Sequence, residues 1–284
     1  MQSPEQPLLI ETTAHEDVLH HIPLDTHAQL RLLSMRCGEA QAENLPNQDY
    51  AQLSYRQDKQ GGCSLAFCVC DGVGSSYKGD FAARYLGHHL LVWLSTLPMG
   101  YGRHKSTPTS SWHTQLEAQL QRWVSKGQTE LQYADITGDI SPLLSETLHE
   151  QRTRYGSETV FFCGRIDYTY EHGWPEGHAI FYWMGNISAH LSLSSGKNIA
   201  IGDGLKKQSD RNRWSTRHGL RGTLSSQSMN FMMLDRLLVH TDGLDTLGTE
   251  LAFLDDDRLM QCIDTLLLRP DNDDMTMLDL QWIA

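Results

Sequence analysis

The spacing of hydrophobic residues changes several times along the chain. Residues 64–70 (SLAFCVC) form a continuous apolar run that is typical of a buried strand. A second strand-like segment, 51–55, precedes it across the polar turn QDKQGG. The first part of the chain therefore predicts two adjacent strands, and the second of them stops abruptly at Asp71.

Apolar residues then recur at intervals of three and four. This spacing predicts an amphipathic helix over 79–97, a second helix over 112–125 and a third around 142–153. The apolar stripe of the first helix consists of Ala82, Ala83, Leu86, Leu90, Trp93, Leu94 and Leu97. Several helices in succession after a pair of strands argue against a regular alternation of strand and helix.

The second half of the chain returns mostly to the two-residue period of strands. Strands are predicted at 158–166, 178–184, 188–193, 237–241 and 275–283, with one helix that begins at the acidic run 255–258. Groups of strands separated by groups of helices indicate an α+β fold with layered sheets and helices.

No segment of the sequence is long enough, or biased enough in composition, to be a linker between two domains. We expect a single domain over residues 29–284, after a polar lead-in at 1–28 that is either loose or an edge strand. Histidines 20, 21 and 27 lie in this lead-in, where a solvated surface is the simpler interpretation and metal ligation the alternative.

Composition narrows the class of protein. There are 23 Lys and Arg against 35 Asp and Glu, a net charge of −12, which argues against a nucleic-acid partner. An acidic protein that binds phosphate also needs a local positive centre, which bound divalent cations would provide. Six irregularly spaced cysteines fit neither a disulfide framework nor a zinc site and favour a reducing compartment. With neither a signal-peptide pattern nor a membrane-length apolar run, we expect a cytoplasmic protein that does not enter the membrane.

Aspartates stand at the predicted ends of four core strands. Asp49 precedes the first, Asp71 ends the second, Asp242 follows LLVHT and Asp273 precedes the last strand. Carboxylates on a shared rim suit Mg²⁺ or Mn²⁺, which prefer oxygen ligands. A pair of such ions activates water for attack on a phosphoryl group.

Each of these elements has a simpler explanation when taken alone. Asp-Gly is a favoured hairpin turn, so Asp71-Gly72 and Asp242-Gly243 are each as consistent with a turn as with a site. The segment DNDD at 271–274 is also typical of a solvated loop. The ordered set supports the metal interpretation better than any single member does.

Taken in order, these motifs resemble those of the PPM-class (type 2C) metal-dependent protein serine/threonine phosphatases, of bacterial type. The matching segments are NQDY (47–50), CVCDGVGSSYKGDFAARYL (68–86), GSETVFFCGRI (156–166), FYWMGNISAHL (181–191), LLVHTDGL (237–244) and DNDDMTMLDL (271–280). The resemblance implies a four-layer αββα sandwich, in which helices flank two central antiparallel β-sheets and the metals lie in a cleft at one end.

The resemblance also implies roles for individual residues. Asp71 would bridge two metal ions, the Gly72 carbonyl would ligate one, and Asp242 and Asp273 would complete the set. Asp49 would orient water next to the ions. Two residues of the last motif, Asp274 and Thr276, would support the site without ligating metal.

Three positions depart from the family pattern. Asn186 stands where bacterial members have an aspartate for a third ion, so we expect a weak or absent third ion; a plain Gly-Asn turn is the alternative. The family's phosphate-binding arginine has no counterpart just before Asp49, and Arg36 is a candidate substitute. Val73 replaces the histidine that eukaryotic members carry, and His88 and His89 are better explained by packing or surface exposure than by acid catalysis.

A basic stretch over residues 206–221 is predicted to be a surface loop or flap near the site. Its arginines, with Arg211 and Arg213 as candidates, could bind an acidic phosphopeptide, since guanidinium groups match phosphate bidentately. A solvated loop is an equal alternative.

The sequence predicts metal-dependent hydrolysis of phosphoserine or phosphothreonine in a protein, opposing a serine/threonine kinase in signalling, by a monomer. A phosphatase-like regulatory binding protein with little or no turnover is the alternative. No nucleotide phosphate loop, Gly-x-Ser-x-Gly elbow or His-Glu-x-x-His zinc motif is present.

Overall fold

The computed structural model describes residues 7–98, 109–133, 142–201 and 211–283, without side chains at 109–110 and 142–145. Lys206 and Lys207 of the predicted flap therefore lie outside the described residues. In the part of the chain that the model describes, none of the helices combines the length and the apolar character that crossing a bilayer requires.

One antiparallel sheet, sheet A, contains eight strands. They are β1 (Leu8–Glu11), β4 (Asp49–Gln57), β5 (Cys63–Gly72), β6 (Glu158–Glu171), β7 (Trp174–Met184), β10 (Arg213–Ser215), β11 (Gly219–Arg221) and β12 (Ser225–Met232). The order β1-β4-β5-β6 continues in two branches, because β7 and β10 pair with different parts of the long strand β6.

The second antiparallel sheet, sheet B, contains six strands in the order β2-β3-β14-β13-β8-β9. They are β2 (Val18–Pro23), β3 (Ala28–Met35), β8 (Ser188–Leu193), β9 (Asn198–Ile201), β13 (Leu234–His240) and β14 (Met275–Trp282). The first and last segments of the chain meet in this sheet, since β14 pairs with β3 along its whole length.

Five α-helices and two 3-10 helices complete the described fold. They are α1 (Gly38–Glu43), α2 (Gly79–Thr96), α3 (Thr109–Tyr133), α4 (Pro142–Arg154), α5 (Asp256–Leu267) and the 3-10 helices Asp242–Leu244 and Gly248–Phe253. Asp255 caps α5, and its carboxylate accepts a hydrogen bond from the Arg258 N–H, as the acidic run predicted.

Three apolar clusters define the layers. The largest lies between the two sheets and includes Leu53, Phe67 and Leu280. A second joins the outer face of sheet A to α2 and α3, and a third joins the outer face of sheet B to α5. The predicted α+β fold with a four-layer αββα sandwich is confirmed.

Two sequence interpretations change in detail. The lead-in at 1–28 contributes an edge strand to each sheet, since β1 pairs with β4 and β2 with β3. The flap prediction is wrong for part of its range, because β10 and β11 are strands of sheet A. Trp214 explains this: its indole is fully buried against α3 and donates a hydrogen bond to the Leu120 carbonyl at 2.9 Å.

Candidate active site

Asp49 and Asp71 face each other across adjacent strands of sheet A. Strand β4 begins at Asp49, β5 ends at Asp71–Gly72, and the two aspartates form the terminal pair of the β4–β5 register. Directly opposed side chains in an antiparallel pair lie close together. Asp49 is only 2% exposed, so two carboxylates approach each other at a largely dry sheet end.

Sheet B brings its own acidic residues to the same place. Asp242 follows the end of β13, and Asp273 and Asp274 precede the start of β14, which is the neighbouring antiparallel strand. The two sheets are joined here by a hydrogen bond of 2.7 Å from the Thr241 hydroxyl to the Asp49 carboxylate. The acidic ends of both sheets therefore meet at one end of the sandwich.

Burial raises the pKa of the Asp71 carboxyl well above its usual range. The carboxylates of Asp242, Asp273, Asp274 and Asp245 raise that pKa further, in decreasing order, because like charges disfavour ionisation. The same effect raises the pKa of Asp49, first through burial and then through the charge of Asp71. Asp71 thus lies within electrostatic range of every acidic residue that the sequence assigned to the metals.

Asp274 is held by backbone groups. Its two carboxylate oxygens accept hydrogen bonds from the Cys37 N–H at 2.7 Å and the Gln48 N–H at 2.6 Å. Burial raises the pKa of this carboxyl, and the two N–H groups oppose that rise. Asp274 thus fastens the segment before Asp49 to the segment before β14, in agreement with a supporting role.

Neither Asp-Gly pair forms the hairpin turn that was its alternative explanation. Residues 73–78 lead from Gly72 to helix α2, and Asp242–Leu244 is a 3-10 helix. A Cβ atom on Gly72 would lie 2.5 Å from the Gly79 carbonyl carbon and 2.8 Å from the Gln48 carbonyl oxygen. Only glycine permits this close approach of three backbone segments next to Asp71.

The donors at the site are oxygen atoms, which suits a hard divalent cation. No three His, Cys, Asp or Glu side chains among the described residues, however, stand at ligand spacing. At Asp242, the carboxylate oxygen Oδ2 instead accepts a hydrogen bond of 2.7 Å from the Asn186 amide. Oxygen donors from both sheets, with like charges close to Asp71, are a donor set that a hard divalent cation fits.

Two of the three arginines predicted to bind substrate, Arg36 and Arg213, already have acidic partners. Arg36 forms an ion pair with Asp17 at 2.9 Å. The hydrogen bond to Asp17 raises the pKa of Arg36, and the negative charge of Asp274 in the acidic site raises it as well. Arg213 contacts the buried Glu158 at 2.9 Å. Arg211 is exposed. Phosphate binding by these residues stays a prediction.

The histidines considered earlier lie elsewhere. His89 is partly buried on α2, where its ring lies 4.3 Å from that of Tyr85, and His88 is exposed. His20 and His21 are exposed, and His21 contacts Asp256 on α5 at 2.8 Å.

Several supporting residues were not identified from sequence. The buried Asn47 accepts a hydrogen bond from the Asp49 N–H at 2.8 Å, and the Thr159 hydroxyl donates to the Asp71 carbonyl at 2.7 Å. Thr241 receives a hydrogen bond of 3.0 Å from the Thr276 N–H while it donates to Asp49. Asn47 and Thr241 stand next to aspartate motifs in the sequence, whereas Thr159 lies in the segment 156–166, far from Asp71 along the chain.

Solved structures with the same architecture were found by comparison. A single-residue variant of a bacterial serine phosphatase is 15% identical, with a TM-score of 0.53, and the match covers 92% of this chain and 100% of that one. The serine/threonine phosphatase Stp1 from Staphylococcus aureus is 14% identical, with a TM-score of 0.53, over 93% and 98% of the two chains. The chain has the PPM phosphatase fold.

No protein-family model matches the sequence, and no curated protein matches it either. The PPM phosphatase fold is thus evident from the three-dimensional comparison, at identities that establish the fold alone. The acidic end of the sandwich is the place in this fold where the sequence predicted a metal site.

Proposed function

We propose that the chain is a serine/threonine phosphoprotein phosphatase that depends on Mg²⁺ or Mn²⁺. The observation that carries the proposal is the convergence of carboxylates from both sheets around Asp71, in a fold shared with serine/threonine phosphatases. The substrate would be a protein phosphorylated by a serine/threonine kinase. We retain the cytoplasm and a monomer as the expected setting.

In this proposal, Asp71, Asp242, Asp273 and the Gly72 carbonyl would hold two cations. The chemistry that such a pair supplies when bound is acidification of water and neutralisation of phosphoryl oxygens. Asp49 orients the attacking water, because its own carboxylate is fixed by the Thr241 hydroxyl. Gly72 lets the β5 end approach the neighbouring backbone and so sets the position of Asp71.

The test is Mn²⁺-dependent hydrolysis of an aryl phosphate and of a phosphoserine peptide. We expect Asp71→Asn and Asp242→Asn each to lower kcat/KM by about 100-fold or more, since each removes a carboxylate from the predicted metal-binding set. Asp271→Asn is the matched control, because Asp271 is exposed in the same acidic segment as Asp273.

Circular dichroism and thermal melting of each variant establish that the fold is retained. Undiminished hydrolysis by Asp71→Asn, or by the wild type in excess chelator, would refute the mechanism. A loss of activity in Asp271→Asn equal to that in Asp71→Asn would show that net charge, and not ligation, is what matters.

A regulatory binding protein without turnover is the second candidate. The hydrogen bond from Asn186 to Asp242 favours it, because an amide N–H occupies a carboxylate oxygen that a cation would otherwise use. Calorimetry separates the two functions. Tight Mn²⁺ binding together with no hydrolysis of any phosphopeptide in a panel would support the binding protein.

A further inference from the structure

A second, positively charged pocket lies near the acidic site. Its volume is about 270 Å³, and it is enclosed by the C-terminal parts of α3 and α4 and by the turn after β10. The polar side chains that line it are Gln128, Gln132, His149, Arg152, Thr153, Thr216 and Arg217. None of the lining residues is acidic.

Two arginines in this pocket have no carboxylate partner among the residues that the structure describes, although the protein carries a net charge of −12. The Arg152 guanidinium donates to the Gln132 carbonyl at 3.1 Å, which fixes it at the pocket wall. Two acidic residues of these helices contact other cations: Glu150 contacts Arg154 and Glu130 contacts Lys126, each at 3.7 Å. As far as the described residues show, Arg152 and Arg217 therefore remain available to an anion.

The floor of the pocket is connected to the loop that follows Asp71. Gly156, with φ +71°, accepts a hydrogen bond of 3.1 Å from the Tyr77 N–H. A Cβ atom at Gly156 would lie 2.6 Å from the Thr216 hydroxyl, so glycine is needed for this contact between the two pocket segments. Two residues later, the Glu158 carbonyl accepts a hydrogen bond of 3.0 Å from the Val73 N–H.

The pairing of β5 with β6 places the pocket and the acidic site near the same end of these two strands. Strand β6 begins at Glu158 and runs antiparallel to β5, so its start lies beside the end of β5 at Asp71–Gly72. Tyr77, between the two regions, is 1% exposed, and its hydroxyl has no hydrogen-bond partner within the described ranges. Burial raises the pKa of the Tyr77 hydroxyl, and the positive charge of Arg152 opposes that rise. Arg152 therefore lies close to the loop over 73–78.

We propose that this pocket is a second anion site, which holds a carboxylate or phosphoryl side chain of the protein substrate at a distance from the reacting group. The proposal rests on the proposed phosphatase function for the identity of that protein. Two guanidinium groups suit such an anion because they donate several charge-assisted hydrogen bonds to its oxygens. The site would select phosphoproteins whose phosphorylated residue has an acidic or phosphorylated neighbour.

The experiment measures binding without turnover. Three fluorescent phosphoserine peptides differ only in the flanking residue, which is neutral, an aspartate or a second phosphoserine. Fluorescence anisotropy in excess chelator gives Kd for the wild type, Arg152→Gln and Arg217→Gln. Arg154→Gln is the matched control, because Arg154 is an exposed arginine of the same helix that does not line the pocket.

We expect each pocket variant to weaken binding of the charged-flank peptides by about tenfold, as the loss of one charge-assisted contact predicts. The neutral-flank peptide and Arg154→Gln should show no change. Arg152→Lys should weaken binding less than Arg152→Gln, since it keeps the charge and loses the bidentate geometry. Whichever of the two charged-flank peptides binds the wild type with the lower Kd identifies the carboxylate or the phosphoryl group as the ligand.

Equal weakening of all three peptides, equal weakening in Arg154→Gln, or no weakening in either pocket variant would overturn the proposal. Failure of the phosphatase proposal is visible separately, as absent Mn²⁺-dependent hydrolysis while flank-dependent binding persists. Where hydrolysis is present, the pocket variants should raise KM for the charged-flank peptides and leave kcat unchanged.

Discussion

Asn186 acts on Asp242 as a hydrogen-bond donor. Its amide nitrogen lies 2.7 Å from Asp242 Oδ2, and a carboxylate at this position would place two negative charges in contact. Asn186, which was considered above as a weak ligand for a third ion, therefore contacts Asp242 in this structure. It stabilises one charge of a repulsive cluster without metal.

Asn186→Asp is expected to destabilise the metal-free protein by about 1–3 kcal/mol, because it removes an N–H donor from a charged acceptor. The same change should increase the gain in Tm that Mn²⁺ produces, since a new carboxylate can be neutralised by a cation. Thermal melting in chelator and in a Mn²⁺ titration measures both effects. Asn186→Ser, which keeps a hydroxyl donor, serves as the control.

An unchanged melting temperature for Asn186→Asp in chelator would contradict this account of the Asn186 contact. It would show that the two side chains are separated in solution.

At the level of elements, a buried charged cluster fastens the outer layer to sheet B. Asp279 on β14 is fully buried and accepts hydrogen bonds from Arg31 on β3 at 3.0 Å and from Arg236 on β13 at 2.6 Å. The two arginines also donate to carbonyls in the segment 251–254, which contains the end of a 3-10 helix. The alternating pattern of the last strand did not indicate this cluster, because the pattern reports only its apolar face.

Asp279→Asn is expected to lower the free energy of unfolding by about 3–5 kcal/mol, because it removes the buried counter-charge that Arg31 and Arg236 share and leaves Arg31 only the half-exposed Asp256 at 3.6 Å. Asp264→Asn, at an exposed position of α5, should change stability by less than about 0.5 kcal/mol. Urea unfolding followed by circular dichroism measures both. Equal stability of the two variants would mean that the arginines find other partners in solution.

At the scale of the whole molecule, negative charge is concentrated at one end of the sandwich. The net charge is −12, and the pKa of Asp71 is raised first by burial and then by the neighbouring carboxylates. The pocket connected to the loop that follows Asp71 carries Arg152 and Arg217, which have no carboxylate partner among the residues that the structure describes. This division is suited to an ion-filled reaction site beside a region that attracts the anionic part of a substrate.

Mn²⁺ or Mg²⁺ is expected to raise Tm, because cations bind the folded arrangement of carboxylates and relieve its repulsion. At a concentration about 100 times Kd, the stabilisation would be about 2.7 kcal/mol for one site. Differential scanning calorimetry over a metal titration measures it, with Asp71→Asn as a variant that should respond less. A melting curve that does not change with metal would contradict occupancy of this site.

Local sequence was sufficient for most elements. Periodicity located α2, the core strands β5, β6 and β14 and the acidic start of α5, since burial of one face is encoded within a few consecutive residues, but it did not predict β3 or β12. It misassigned the stretch around Trp214, because a three-residue strand leaves too short a pattern to recognise. It also ended α3 at residue 125, whereas the helix continues to Tyr133.

By itself, the sequence determined that aspartates end several core strands, and its resemblance to a known family gave the sandwich. Tertiary structure alone decided which distant side chains meet. Thr241 and Asp49, which hydrogen-bond across the sheets, are 192 residues apart, and Arg213 turns to the buried Glu158. The physical reason is that strand formation depends on local periodicity, whereas contacts between sheets depend on how separate segments pack and satisfy their buried charges.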